Sequence, residues 1–143
     1  MRFVVRFAVL GLAFAAAAPA ARAQGREVFG RSTATLSPAV KAGGLVHASG
    51  QLPARGDSTI EAQTTSALNN VKAAFEQAGT TMNNAVKCTV FLIDLKDFAG
   101  MNSAYSKFWS PENPPPARST VVVAALVSPG AKLEIECIAA VAR

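Results

Sequence analysis

The sequence predicts an α+β domain in which one mixed β-sheet carries two helices packed on a single face. Three observations support this. Apolar residues recur at spacings of 3 and 4 over 60–78 and again over 98–108, the period of an amphipathic helix. The run Val86-Lys87-Cys88-Thr89-Val90-Phe91-Leu92-Ile93 is rich in β-branched and apolar residues, as a central strand requires. The stretch Leu133-Glu134-Ile135-Glu136-Cys137 alternates strictly, the period of a half-buried strand. Strand, helix, strand, helix and a last pair of strands thus follow in order, and layering both helices on one sheet face buries every apolar stripe.

The chain has 143 residues, half of them apolar, enough for one core of ordinary size. Residues 1–23 read as a secretory signal peptide: Arg2 and Arg6 precede an apolar run over 7–18, and Ala21-Arg22-Ala23 forms a small-x-small cleavage site. That run is shorter than the roughly 20 residues needed to span hydrocarbon, so no stable membrane association is expected after cleavage. The expected product is a single domain over 24–143, exported, with the periplasm as its compartment. Removing Arg2, Arg6 and Arg22 leaves eleven of the fourteen basic residues against nine acidic ones, a formal charge of +2 in place of +5. With so small an excess, and no Lys/Arg stripe interleaved with aromatics, no nucleic-acid partner is expected.

Residues 24–38 are mixed and Ser/Thr-rich, with room for a short strand over 27–31. Lys41-Ala42-Gly43-Gly44 reads as a turn into the strand Leu45-Val46-His47-Ala48-Ser49. Gly50, next in line, marks a conformation or close approach that a side chain would block. His47 is the only histidine and has no second ligand at metal-binding spacing, so no metal site is expected. Ser58 with Glu61 has capping-box spacing for the first helix, and Asp97 is placed to cap the second. Phe98, Met101, Ala104, Tyr105 and Phe108 make the second helix's stripe, a core pattern rather than a cofactor box. Strands over 119–127 and 133–141, joined by Ser128-Pro129-Gly130, read as a hairpin. Glu134 and Glu136 then face away from the helices, and Ile138 and Ala140 on the same side favour a second subunit there over water. Cys88 and Cys137 both fall on the apolar side of their strands. That points to two buried thiols, with a disulfide as the alternative in an oxidising compartment.

The sequence holds no Gly-rich phosphate loop, Cys/His cluster or HExxH helix, so nucleotide hydrolysis and metal catalysis have no residues to carry them. A sparse polar set remains. Pro114-Pro115-Pro116 delivers Arg118 to the start of a strand along a stiff, extended approach. A guanidinium held that way matches a carboxylate with two parallel hydrogen bonds. Glu134 lies on the facing arm of the expected hairpin, Ser49 at another strand end, and Asn102 and Tyr105 complete the set. Within a subunit or across an interface, Arg118 and Glu134 would together hold an anionic small molecule and orient a water; a plain ion pair between them is the alternative.

The segments 41–46 and 49–53, Val86-Lys87-Cys88-Thr89-Val90-Phe91-Leu92, Asp97-Phe98 with Asn102 and Tyr105, Pro116-Ala117-Arg118-Ser119 and Leu133-Glu134-Ile135-Glu136 resemble the Rid (YjgF/YER057c) family. The resemblance runs from about Val40 to the C-terminus, and its most specific pieces are the Ser-Gly-Gln and Pro-Ala-Arg-Ser blocks in that order. It implies a chorismate-mutase-like (YjgF-like) α+β fold assembled as a homotrimer, with ligand sites in clefts between subunits. It also implies cofactor-independent hydrolysis of reactive enamine/imine intermediates, such as 2-aminoacrylate, to 2-oxo acids and ammonia. This is an activity of the 2-iminobutanoate/2-iminopropanoate deaminase type on a small-molecule carboxylate. By position, Arg118 would bind the substrate carboxylate, Glu134 would position the attacking water, and Ser49 with the backbone around Thr120 would line the cleft. Leu36 stands where the family's Gly-Pro-Tyr block carries its tyrosine, and Thr120 where many members have Cys, Ser or Ala. The missing phenol keeps a second expectation open, a non-catalytic trimer that binds a small metabolite such as a 2-oxo acid.

Overall fold

The structure is a computed structural model that describes residues 25–141, so the expected signal peptide lies outside the described residues. Among the described residues six strands, β1 (Glu27–Phe29), β2 (Ala39–Ala42), β3 (Leu45–Gln51), β4 (Ala85–Leu92), β5 (Ala117–Val122) and β6 (Leu133–Ala140), join two α-helices, α1 (Ile60–Gln77) and α2 (Phe98–Tyr105). The strands form one sheet in the order β1-β2-β3-β6-β4-β5. Every neighbouring pair is antiparallel except β4 and β5, which run parallel.

Both helices lie on one sheet face, as the periodicity predicts. Ala67, Leu68, Val71 and Phe75 of α1 and Met101, Ala104 and Tyr105 of α2 are buried, in a core with Val46, Val90, Leu92, Leu133 and Ile135 from the sheet. The caps differ in detail from the sequence expectation. Thr59 rather than Ser58 caps α1, its Oγ1 accepting from the Ala62 N–H at 3.2 Å. Asp97 does stand at the N-cap position of α2 but makes no side-chain capping bond, its carboxylate pairing with Lys132 Nζ at 3.3 Å; Asp94 caps the short 3-10 turn over 95–97, accepting from the Lys96 N–H at 2.9 Å. Lys41 and Ala42 belong to β2, not to a turn, pairing with Val46 and Leu45. The turn is Gly43-Gly44 alone, with φ of 58° and 79°, since a two-residue hairpin loop of this kind needs positive φ at both positions.

Two expectations are overturned by the strand order. The last two strands are not a hairpin, because β4 lies between β5 and β6. The chain leaves β4, passes through α2 and returns parallel beside it as β5, the connection a parallel pair requires. It then crosses the sheet end and inserts β6 antiparallel between β3 and β4. That insertion sets Cys137 directly opposite Cys88, with Cα atoms 4.1 Å apart, and the two sulfurs are bonded. Two free buried thiols are therefore replaced by one disulfide. Alternation places each sulfur on the core side, but only the strand order makes them neighbours.

Candidate functional site

Arg118 sits opposite Cys88 in the β4–β5 register, and side chains opposite one another share a sheet face, so Arg118 projects toward the helices. There its Nη2 donates to Asn102 Oδ1 at 2.6 Å and its Nη1 lies 3.9 Å from Met101 Sδ. The guanidinium carbon stands 4.6 Å from the centre of the Tyr105 ring, a cation–π placement. Burial pushes the Tyr105 phenol up to about 12, with the Arg118 charge pulling it back only in part, so the phenol is neutral at working pH. One face of the guanidinium is thus fixed by Asn102 and Tyr105, while its remaining N–H groups have no partner among the described residues. Because β5 is an edge strand, this cation is held beside the open margin of the sheet.

Glu134 points the other way. It lies opposite Phe91 and between the buried Leu133 and Ile135, so it occupies the sheet face that carries no helix. A register shift between Ala48 and Gln51 brings Gly50 beneath it, and a Cβ on Gly50 would overlap the Glu134 carboxyl. This is the close approach that the sequence assigns to Gly50. Ser49 lies on the same outer face, but its hydroxyl donates to the Ser37 carbonyl at 2.6 Å and so ties two chain segments together. Thr120, opposite Val90, shares the helix side with Arg118, and its Oγ1 is buried with no partner.

The sequence-predicted residues therefore fall into two groups within one chain. Arg118 and Thr120, with Asn102 and Tyr105, lie on the helix side of the sheet edge; Glu134 and Ser49, with Gly50, lie on the outer face. No ion pair joins Arg118 to Glu134 among the described residues, which removes the expected arrangement across a hairpin. Leu36 is half exposed in a turn closed by its own N–H donating to Thr33 Oγ1 at 3.1 Å, and it brings no polar group. Beside Arg118 a cleft of about 740 Å³ opens between the end of α2 and the proline segment. Trp109 lines it as well, its ring centre 5.6 Å from that of Tyr105, one residue beyond the apolar stripe predicted for the second helix.

The family model described as Endoribonuclease L-PSP matches residues 30–141. The chain belongs to this family, the Rid/YjgF family. Among Rid-family relatives, the RutC family protein of Haemophilus influenzae is 45% identical over 119 residues, covering 76% of this chain and 91% of its own. A YjgF-family structure from Neisseria meningitidis superposes with a TM-score of 0.78 at 26% identity, covering 85% of this chain and 98% of its own. TdcF of E. coli, solved with bound serine, does so at 0.73 and 34% identity, covering 81% and 99%. The Rid-family match spans both groups of site residues, from Ser49 and Gly50 to Arg118, Thr120 and Glu134.

Proposed function

We propose that this Rid-family protein hydrolyses 2-imino acids, and their enamine tautomers, to 2-oxo acids and ammonia at a site shared between two copies of the chain. The observation that carries the proposal is the opposition of Arg118 and Glu134. One copy presents a held cation at a bare sheet edge, and the outer face of another presents a carboxylate lying over Gly50. Joining an edge to a face uses two different surfaces, so the contact is head-to-tail, the kind that builds a ring when its rotation closes. Three copies make the ring that the family resemblance implies, and Ile138 and Ala140 supply the apolar part of the covered face.

In that site Arg118 binds the substrate carboxylate with the N–H groups left over by Asn102 and Tyr105. Glu134 accepts a proton from a water as the water oxygen bonds to the imine carbon, giving a carbinolamine. That proton passes to the imine nitrogen to complete the carbinolamine, and Glu134 then takes the hydroxyl proton and delivers it to nitrogen as the C=O forms and the C–N bond breaks, leaving a 2-oxo acid and ammonia. An imine carbon is already electrophilic, so orientation and charge neutralisation supply the acceleration and no nucleophilic side chain is needed. The bound serine in TdcF, an amino acid with a carboxylate, supports a ligand of this class. The disulfide supports export to an oxidising compartment, in keeping with the signal-peptide pattern of residues 1–23.

Subunit complementation tests the proposal. Arg118→Ala and Glu134→Gln are each expected to abolish ammonia release from freshly generated imino acids. Trimers assembled from an equal mixture of the two recover about a quarter of wild-type activity, because one interface in four pairs an intact Arg118 with an intact Glu134. Absence of recovery would place the site within one subunit. Leu36 favours a second reading, a trimer that binds 2-oxo acids without turnover, since the loop bearing it offers no hydroxyl from that side chain. Wild-type ammonia release above the uncatalysed rate excludes it.

A further inference from the structure

The cleft beside Arg118 is larger than a three-carbon imino acid needs, and aromatic and proline rings supply most of its lining, with Ser106 and Ser110 among them. At about 740 Å³ it lies within the roughly 300–1,000 Å³ range of small-molecule sites. Tyr105 and Trp109, their rings tilted 42° to each other, line it together with Pro111, Pro114, Pro115 and Pro116. Proline rings offer flat apolar faces and carry no N–H, so this part of the lining is stiff as well as apolar. The one charged group in the lining is Arg118, at the end where Asn102 also reaches in. A cation at one end of an aromatic and proline slot complements a carboxylate joined to a bulky apolar group.

We infer that this slot is a side-chain subsite, and that the protein prefers 2-imino acids with aromatic or large branched side chains over aminoacrylate-sized ones. The inference rests on the reading of Arg118 as the carboxylate receptor. With the carboxylate on the guanidinium, a side chain directed along α2 lies against Trp109 and the prolines. Burying a ring there removes apolar surface from water and adds ring contacts with Trp109, together sufficient for about a tenfold preference. A methyl or methylene group reaches neither set of rings and gains neither term.

Equilibrium binding of stable 2-oxo acids to the full-length oligomer tests this, with pyruvate as the small probe and phenylpyruvate as the large one. Wild type is expected to bind phenylpyruvate at least about tenfold more tightly. Trp109→Ala lowers phenylpyruvate affinity about tenfold and leaves pyruvate within about twofold. Ser106→Phe, made at an exposed position on the cleft rim and so independent of core packing, blocks phenylpyruvate and spares pyruvate. Equal affinities in wild type, or variants that weaken both probes alike, overturn the subsite. Arg118→Ala separates the two levels: it weakens both probes if Arg118 is the carboxylate receptor. Undiminished binding of both overturns that underlying reading.

Discussion

The Glu134 carboxyl lies directly over the backbone of Gly50, in space that a single methyl group on that glycine would fill. The two residues come from neighbouring antiparallel strands, and the register shift in β3 turns the glycine toward the acid. Gly50→Ala therefore displaces the end of a flexible side chain rather than backbone, which is cheap for folding and costly for a positioned base. The expected outcome is a stability change under about 1 kcal/mol by urea denaturation, with kcat reduced at least about tenfold. Retention of full kcat would show that the placement of Glu134 does not matter to turnover.

Tyr105 carries a phenol that is buried with no hydrogen-bond partner and beneath a guanidinium. Its folded-state value, about 12, lies above the ordinary 10.0, so between those pH values the unfolded chain releases its proton first and stability falls as pH rises. Tyr105→Phe removes both the unpartnered hydroxyl and this loss. It is expected to raise stability at pH 7 by about 1 kcal/mol and to flatten the decline above pH 10. Urea midpoints for both proteins at pH 7 and pH 11 decide it. A parallel decline in the two would assign the alkaline loss to another group.

The Cys88–Cys137 bridge closes a loop with a sequence separation of 49, for which chain entropy gives about 4 kcal/mol of stabilisation. Denatured, unreduced protein is expected to show no titratable thiol, and two after reduction. The Cys88→Ala, Cys137→Ala double variant should lose most of that stability by denaturant unfolding. Two thiols found before reduction would refute the bridge.

Elements bounded by short-range signals were legible in the sequence. The period of 3 and 4 located α1 and α2, and alternation put Glu134 and Glu136 on the outer face. Gly50 was marked as a close approach, though nothing named the acid above it. Neighbour relations across the sheet were harder to read. Pro129-Gly130 has the chemistry of a hairpin turn, yet the strand–helix–strand pattern over 85–122 already demands that β5 lie beside β4, and this constraint wins. With β6 misplaced, neither the disulfide nor the separation of Arg118 from Glu134 could follow. Asn102 and Tyr105 belong to the polar set legible in the sequence, but their contact with Arg118 depends on how α2 lies against the sheet edge.

The disulfide also decides what a backbone cut would do to this protein. Its two half-cystines enclose α2, the proline segment, β5 and the connection over 123–132, where Val127 is 90% exposed. A protease that cleaves at Val127 opens the chain without dividing it: the fragment bearing Arg118 stays covalently joined to the fragment bearing Glu134 until a reductant reaches a pair buried to within 1% of full. A nicked subunit thus keeps both its arginine edge and its glutamate face on one molecule.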